Sequence, residues 1–334
     1  MKNYKKILLV GGEGYVGSVV KSIFINEGYL VHSIDNLIYN NQQSVLSVNN
    51  NNYKFIYGDM ISLTRISNIN QYDLIILFAG LVGDPVVKKF KSLSKKTNFT
   101  DVDIVINYLA KNYSNNFFFI STCSNYGLMD SNEKADEKYK LNPISDYSKA
   151  KVSAEKTIIN LRNSSNFKPT IFRFATAFGI SPRMRFDLTL NQFALDIYHD
   201  IPLTVYDPDT WRPYCHVKDF ANILINCYQI SAEHREFQIF NAGFNSNHST
   251  KRNLINLIVK IFNKDMKNVS FKKENGDDQR NYKVDFNKIT KLLNLEKKYS
   301  IEDGIVELKY FMDNNIFNNY KLNTRMGNFK IKKD

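Results

Sequence analysis

Tyr147-Ser148-Lys149-Ala150-Lys151 sets a phenol and an ammonium four positions apart, which on a helix places both on one face. A tyrosine with a pKa near ~10 is a poor base at neutral pH, but a buried ammonium beside it stabilises the phenolate. Tyr147 then becomes a usable acid/base. Ser121-Thr122 closes an apolar run about 25 residues earlier, where its hydroxyls are expected to hydrogen-bond the same oxygen. A second constellation, Gly11-Gly12-Glu13-Gly14-Tyr15-Val16-Gly17, follows the first apolar run with a GxxGxxG spacing. Glycine allows the tight turn and lets backbone N–H groups approach a pyrophosphate, which the positive helix N-terminus stabilises. Asp35 ends the next run, 18 positions beyond Gly17, where a carboxylate accepts hydrogen bonds from adenosine ribose hydroxyls. It would also repel a 2′-phosphate, favouring NAD over NADP. Asp59, after Gly58, either meets the adenine edge or is a solvated loop acid.

Buried parallel strands must carry these groups. Apolar runs bounded by turn residues recur as "KILLVGG", "LVHSID", "YKFIYGD", "DLIILFAG", "NFFFIST" and "PTIFRFAT". Near-continuous hydrophobicity reads as strands covered on both faces. Helix-length stretches lie between them, for example 16–27 and 147–161, and this alternation predicts an α/β fold with a doubly wound parallel (Rossmann) sheet. Beyond Thr176 the pattern turns irregular. "GISPRMRFDL" and "VYDPDTWRPY" read as loops, with helices at 191–198, 217–230 and 251–262, and "FQIFNAG" reads as a strand returning to the main sheet. The expected division is a dinucleotide-binding domain at 1–176 with a return segment at about 213–243, and a smaller α/β lobe formed by 177–212 and 244–330. The closing "NFKIKKD" reads as a frayed tail.

The chain of 334 residues is 43% hydrophobic and 13% aromatic, enough to bury a core and to exclude general disorder. Its longest apolar run falls well short of the ~20 residues of a membrane span, and no signal-peptide pattern opens it, so a cytoplasmic protein without a membrane partner is expected. Lys and Arg outnumber Asp and Glu by 45 to 33, a net charge of +12 that favours an anionic partner. The lysines are scattered and lack a nucleic-acid motif, which demotes nucleic acid. Three widely spaced cysteines, Cys123, Cys215 and Cys227, fit neither a disulfide framework nor a zinc site, and no metal is expected.

On the glycine motif, "STCSNYG" at 121–127, "PISDYSKAK" at 143–151 and "WRPYCHVKDFA" at 211–221, nearly the whole chain resembles an extended short-chain dehydrogenase/reductase of the NAD-dependent nucleotide-sugar epimerase/dehydratase group. The resemblance implies that Tyr147 takes the proton of a sugar hydroxyl, usually at C4, while hydride passes to the nicotinamide. Thr122 orients the hydroxyl, and Lys151 binds the nicotinamide ribose and tunes Tyr147. The cofactor set it implies is Gly11, Gly14, Tyr15, Val16, Gly17, Asp35, Asn36, Asp59, Met60, Phe78, Ala79, Gly80, Leu81, Asn98, Tyr147 and Lys151. Arg212 matches the arginine that contacts the substrate diphosphate, for which a planar guanidinium is suited. Arg183, Arg185 and Asn191 join it on the substrate side. Where relatives carry an RPGD-like turn this chain reads Asn275-Gly276-Asp277-Asp278, leaving Arg280 as the substitute.

Departures narrow the reaction. Sugar 4,6-dehydratases of the group carry Asp-Glu after the threonine, and this chain has Cys123-Ser124, which argues against that elimination. Cys123 is one position out of register with the cysteine of 3,5-epimerising members and reads as packing. Thr176 replaces a customary asparagine, and His216 reads as structural. The resemblance therefore points to a nucleotide-diphosphate-sugar C4 epimerase that uses NAD. A C4 dehydrogenase or ketoreductase is the alternative, because "FRFATAFGISPRMRFDL" is similar to bacterial GDP-heptose C4 dehydrogenases of capsule synthesis. A non-catalytic NAD sensor is disfavoured by the joint presence of Thr122, Tyr147 and Lys151. The group usually dimerises through two helices, here expected near 100–111 and 147–161, which implies a homodimer.

Overall fold

The structure, a computed structural model, describes residues 5–129, 133–163, 166–273, 280–316, 327–328 and 330–331. The six apolar runs form β1 (Lys6–Val10), β2 (Leu30–Asp35), β3 (Tyr53–Tyr57), β4 (Leu74–Leu77), β5 (Asn116–Thr122) and β6 (Lys168–Phe174). Next come β7 (Thr176–Phe178), β8 (Leu203–Tyr206) and β9 (Trp211–His216), and then β10 (Gln238–Ala242). β10 does return to the main sheet, giving seven strands in the order β10-β6-β5-β4-β1-β2-β3, every neighbouring pair parallel. The order reverses between β1 and β4, and in such sheets the crevice beyond the carboxyl ends at this switch point takes the ligand. Ile7 to Val10 and Leu74 to Leu77 are fully buried, as their unbroken hydrophobicity requires. β3 differs from the expectation of burial on both faces: as the edge strand it is only partly covered, with Tyr57 67% exposed.

The helix Tyr15–Asn26 starts directly after the glycine turn, with Gly14 in extended backbone as its N-cap. It packs against the helix Val217–Gln229. The helix Asp146–Asn160 is capped by Ser145, whose hydroxyl accepts from the Ser148 N–H. That start fixes Tyr147 in the first turn and Lys151 one turn further. A π-helical turn, Lys96–Asp101, leads into the helix Val102–Asn112, which lies against Asp146–Asn160.

Outside the main sheet the sequence reading needs amendment. The stretch read as loop around "VYDPDTWRPY" contributes β8 and β9. β9 lies between β7 and β11 (His248–Thr250), while β8 pairs in parallel with β12 (Val269–Lys272). These strands are short and their partners are distant in sequence, so local pattern carries little sign of them. The helix Ile301–Asp313, also unforeseen, opens with a capping box formed by Ser300 and Asp303. Of the tail expected to fray, the described Asn328 and Ile331 are docked: the Asn328 side-chain amide donates to the Val82 carbonyl at 2.7 Å, and Ile331 packs on the cluster of Leu81, Val86 and Val87.

Candidate active site

A cavity of about 1270 Å³ opens onto the switch point, more than the roughly 300–1,000 Å³ of a site for one small molecule. The glycine turn, Asp35, Asn36, Asp59, Met60 and Phe78 to Leu81 line it together with Thr122, Tyr147, Lys151, Arg183, Arg185, Arg212 and Arg280. The two constellations read from the sequence thus face one space.

Each glycine of the turn has its own reason. Gly11 has φ +83°, and a Cβ there would lie 2.6 Å from the Ala79 nitrogen. A Cβ on Gly17 would lie 2.5 Å from the Gly11 carbonyl oxygen, so only glycine allows this contact. Gly14 meets nothing closer than that same oxygen at 3.4 Å, which leaves open space at the helix N-terminus. A helix N-terminus bare of side chains is a cradle of the size and polarity that a dinucleotide pyrophosphate needs. Beside it, the Asp35 carboxylate accepts from the Leu37 N–H at 2.8 Å and the Glu13 N–H at 3.1 Å, while burial pushes its pKa upward. Those bonds hold the carboxylate in place on the cavity wall.

Behind the turn lies a group that sequence reading missed. The Lys21 ammonium donates to Glu13 and to the Ser44 carbonyl, both at 2.6 Å, and the Tyr53 hydroxyl donates to Glu13 at 2.8 Å. Both members of this ion pair are wholly buried. A lysine within the otherwise apolar face of "YVGSVVKSIF" was the available signal.

Lys151 is buried at the cavity wall beside Tyr147. Its ammonium donates to the Ile120 carbonyl at 2.7 Å and lies 5.9 Å from the centre of the Tyr147 ring. Burial drives its pKa from 10.5 down to about 8, with Glu155 opposing the shift. Thr122, at the end of β5, lines the same cavity and accepts from the Ser124 N–H. Ser121 also borders the cavity, but its hydroxyl is engaged elsewhere. Successive strand residues point to opposite faces, and its hydroxyl instead donates to Glu155 at 2.5 Å. There Glu155 pairs with Arg173 at 2.6 Å, both buried. Cys123, buried in the core with its thiol on the Arg173 carbonyl, is pushed well above the usual thiol pKa by desolvation, which suits packing.

The arginines differ from one another. Arg185 is paired with Asp187 at 2.5 Å. Arg212 lies over the Tyr282 ring at 5.1 Å, and Arg280 donates to the Ser124 hydroxyl at 3.3 Å. The turn at 275–278 lies outside the described residues. Two asparagines stand behind the cavity wall. Asn191 is absent from the lining: its carbonyl accepts from the Gly179 N–H, while its amide donates to the Arg185 carbonyl and the Tyr15 hydroxyl. Asn98 exchanges hydrogen bonds with the Leu81 backbone in both directions, bracing the cavity segment from behind. Thr176 lines the cavity. His216 is buried between Glu307, 2.9 Å away, and the stacked Tyr299 ring, a packing position.

Known proteins share the family pattern and the fold. The description "NAD dependent epimerase/dehydratase family" matches residues 7–243. UDP-arabinose 4-epimerase 1 of Arabidopsis thaliana is 30% identical over 189 residues, which cover 54% of this chain and 44% of that protein. The chain therefore spans less than half the length of that relative. UDP-glucuronic acid decarboxylase 1 of the same plant is 25% identical over 94% of this chain and 71% of its own length. A UDP-glucuronic acid 4-epimerase from Bacillus cereus, crystallised with UDP-glucuronic acid and NAD, shares the fold with a TM-score of 0.81 at 22% identity, over 92% of this chain and 99% of that one. Because the family match runs through the cavity and the sheet beneath it, the chain belongs to the NAD dependent epimerase/dehydratase family, with NAD as its cofactor.

Proposed function

We propose that the protein is a nucleotide-diphosphate-sugar 4-epimerase. The carrying observation is that Thr122, Tyr147 and Lys151 line the same cavity as the glycine turn and Asp35, with Arg212 and Arg280 on its wall. NAD, when bound, takes up a hydride from the sugar and gives it back. Tyr147 takes the proton of the C4 hydroxyl as that hydride leaves, so the sugar carbon becomes a ketone. Thr122 holds the hydroxyl in line, and the Lys151 ammonium keeps the phenolate favourable. After the ring turns over, Tyr147 returns the proton as hydride arrives on the opposite face. Arg212 and Arg280 hold the diphosphate, each with a planar fork suited to phosphate oxygens. Ser124 occupies the wall where a carboxylic acid would be required for 4,6-elimination, which favours epimerisation over dehydration.

The residues 172–188 favour one alternative, a net C4 dehydrogenase or ketoreductase. Purified protein offered a panel of UDP-, GDP-, CDP- and dTDP-sugars, UDP-glucuronic acid included, separates the readings through absorbance at 340 nm, product mass and product stereochemistry. An inverted C4 centre without NADH accumulation is expected. Net NADH indicates the dehydrogenase, and loss of CO₂ or water rejects the epimerase. We also propose a homodimer formed through the helices Val102–Asn112 and Asp146–Asn160, on which Ile104 and Ile159 are exposed apolar side chains.

A further inference from the structure

We infer that Arg183, read from the sequence as a substrate residue, is instead a ligand of the cofactor pyrophosphate that closes over the N-terminus of the helix Tyr15–Asn26. The inference rests on the NAD part of the reading above and not on the identity of the sugar.

The segment that carries Arg183 is fastened to the first turn of that helix. The Tyr15 hydroxyl donates to the Gly179 carbonyl at 2.6 Å, the Ser181 hydroxyl donates to the Tyr15 carbonyl at 2.7 Å, and the Ser18 and Ser181 hydroxyls lie 3.0 Å apart. The Arg183 N–H donates to the Ser181 oxygen at 3.2 Å. Arg183 thus stands two residues beyond a serine seated on the helix start. Its guanidinium lies 4.9 Å from the centre of the Tyr39 ring, in the segment that follows Asp35. The side chain is therefore bracketed by the two parts of the fold assigned to the cofactor.

Among the described residues no carboxylate forms an ion pair with Arg183, and Asp187 and Asp35 act on it only at longer range. Arg183 is only 7% exposed and lines the cavity, and among the described residues its guanidinium donates to the Met184 carbonyl at 3.4 Å and the Gly327 carbonyl at 3.3 Å. Neighbouring Arg185, by contrast, has Asp187. Burial and repulsion from Arg185 outweigh the attraction of Asp187, Tyr39 and Asp35 and lower the Arg183 pKa to about 10, so the group stays charged at neutral pH at a cost that an arriving anion would offset. A helix N-terminus offers only about half a positive charge, less than a doubly charged pyrophosphate requires. A buried guanidinium that no carboxylate contacts directly among the described residues supplies the remainder and can do so with two parallel hydrogen bonds.

Calorimetric titration of NAD, ADP-ribose, adenosine, UDP and GDP into nucleotide-free wild type, Arg183→Gln and Arg183→Lys tests this. For Arg183→Gln we expect NAD and ADP-ribose to weaken by about 10- to 100-fold, the size of a lost charged hydrogen bond. Adenosine, UDP and GDP should change by less than about twofold, and Arg183→Lys should fall between. NAD affinity within twofold of wild type overturns the inference. So does a loss confined to UDP or GDP, which would return Arg183 to the substrate. If Arg183→Gln does not fold, Arg183→Lys alone carries the same comparison. A wild type that binds no NAD would overturn the cofactor assignment and this inference with it, whereas an intact Arg183 effect without sugar turnover would reject only the epimerase.

Discussion

Burial sets the charge state of Lys151. Its ammonium sits on one carbonyl near the Tyr147 ring, and desolvation lowers its pKa to about 8. Any rate that depends on this charge should fall as pH rises through about 8. In kcat/KM profiles we expect a descending limb there that Lys151→Met lacks, and at pH 7 the variant should be slower by roughly 10²- to 10⁴-fold. The same shift affects stability with a definite sign. Between about 8 and 10.5 the unfolded chain binds more protons than the folded one, so the Lys151 contribution to stability grows with pH across that window. Tyr147→Phe should lose turnover on the same scale, roughly 10²-fold or more, with NAD affinity within a few-fold as read by titration. Unchanged turnover would remove Tyr147 from catalysis.

The glycine turn and the last helix show how elements hold the site. Gly14→Ala adds a methyl at ordinary contact distance, 3.4 Å from the nearest atom, so thermal unfolding should be little changed while the methyl obstructs the cofactor cradle. Gly17→Ala forces a methyl to 2.5 Å from a backbone oxygen and should destabilise the fold itself. Melting curves with and without NAD separate the two outcomes. At the other end, Glu307 on Ile301–Asp313 accepts from the Ile180 N–H and pairs with His216 and Lys218. These partners outweigh burial and pull its pKa from 4.5 to about 2. Its stabilisation is therefore present above pH 4.5 and lost as pH falls toward 2. Glu307→Gln should unfold at lower temperature than wild type at pH 7, and the gap should close on acidification through that window.

For the whole molecule, sedimentation should give twice the 38.8 kDa chain mass, and joint Ile104→Asp and Ile159→Asp should reduce it to the monomer. No described helix is long and apolar enough to cross a membrane. The central sheet and the pairing of Tyr147 with Lys151 were legible in the residues, because hydrophobic runs, glycine positions and four-residue spacing act locally. So was the meeting of the glycine turn with Asp35, since consecutive parallel strands carry their ends to one edge. What only the tertiary structure decided depends on contacts between segments far apart in the chain. It engaged the Ser121 hydroxyl with Glu155 while Thr122 lined the cavity, and placed Asn191 behind the wall. It paired Arg185 with Asp187, left Arg183 on carbonyls and outside ion-pair range of any described carboxylate, and folded Asn328 onto Val82. A sequence fixes which groups are charged, but the free energy of each charge depends on which distant atoms desolvate and neutralise it, and those are set when the chain packs.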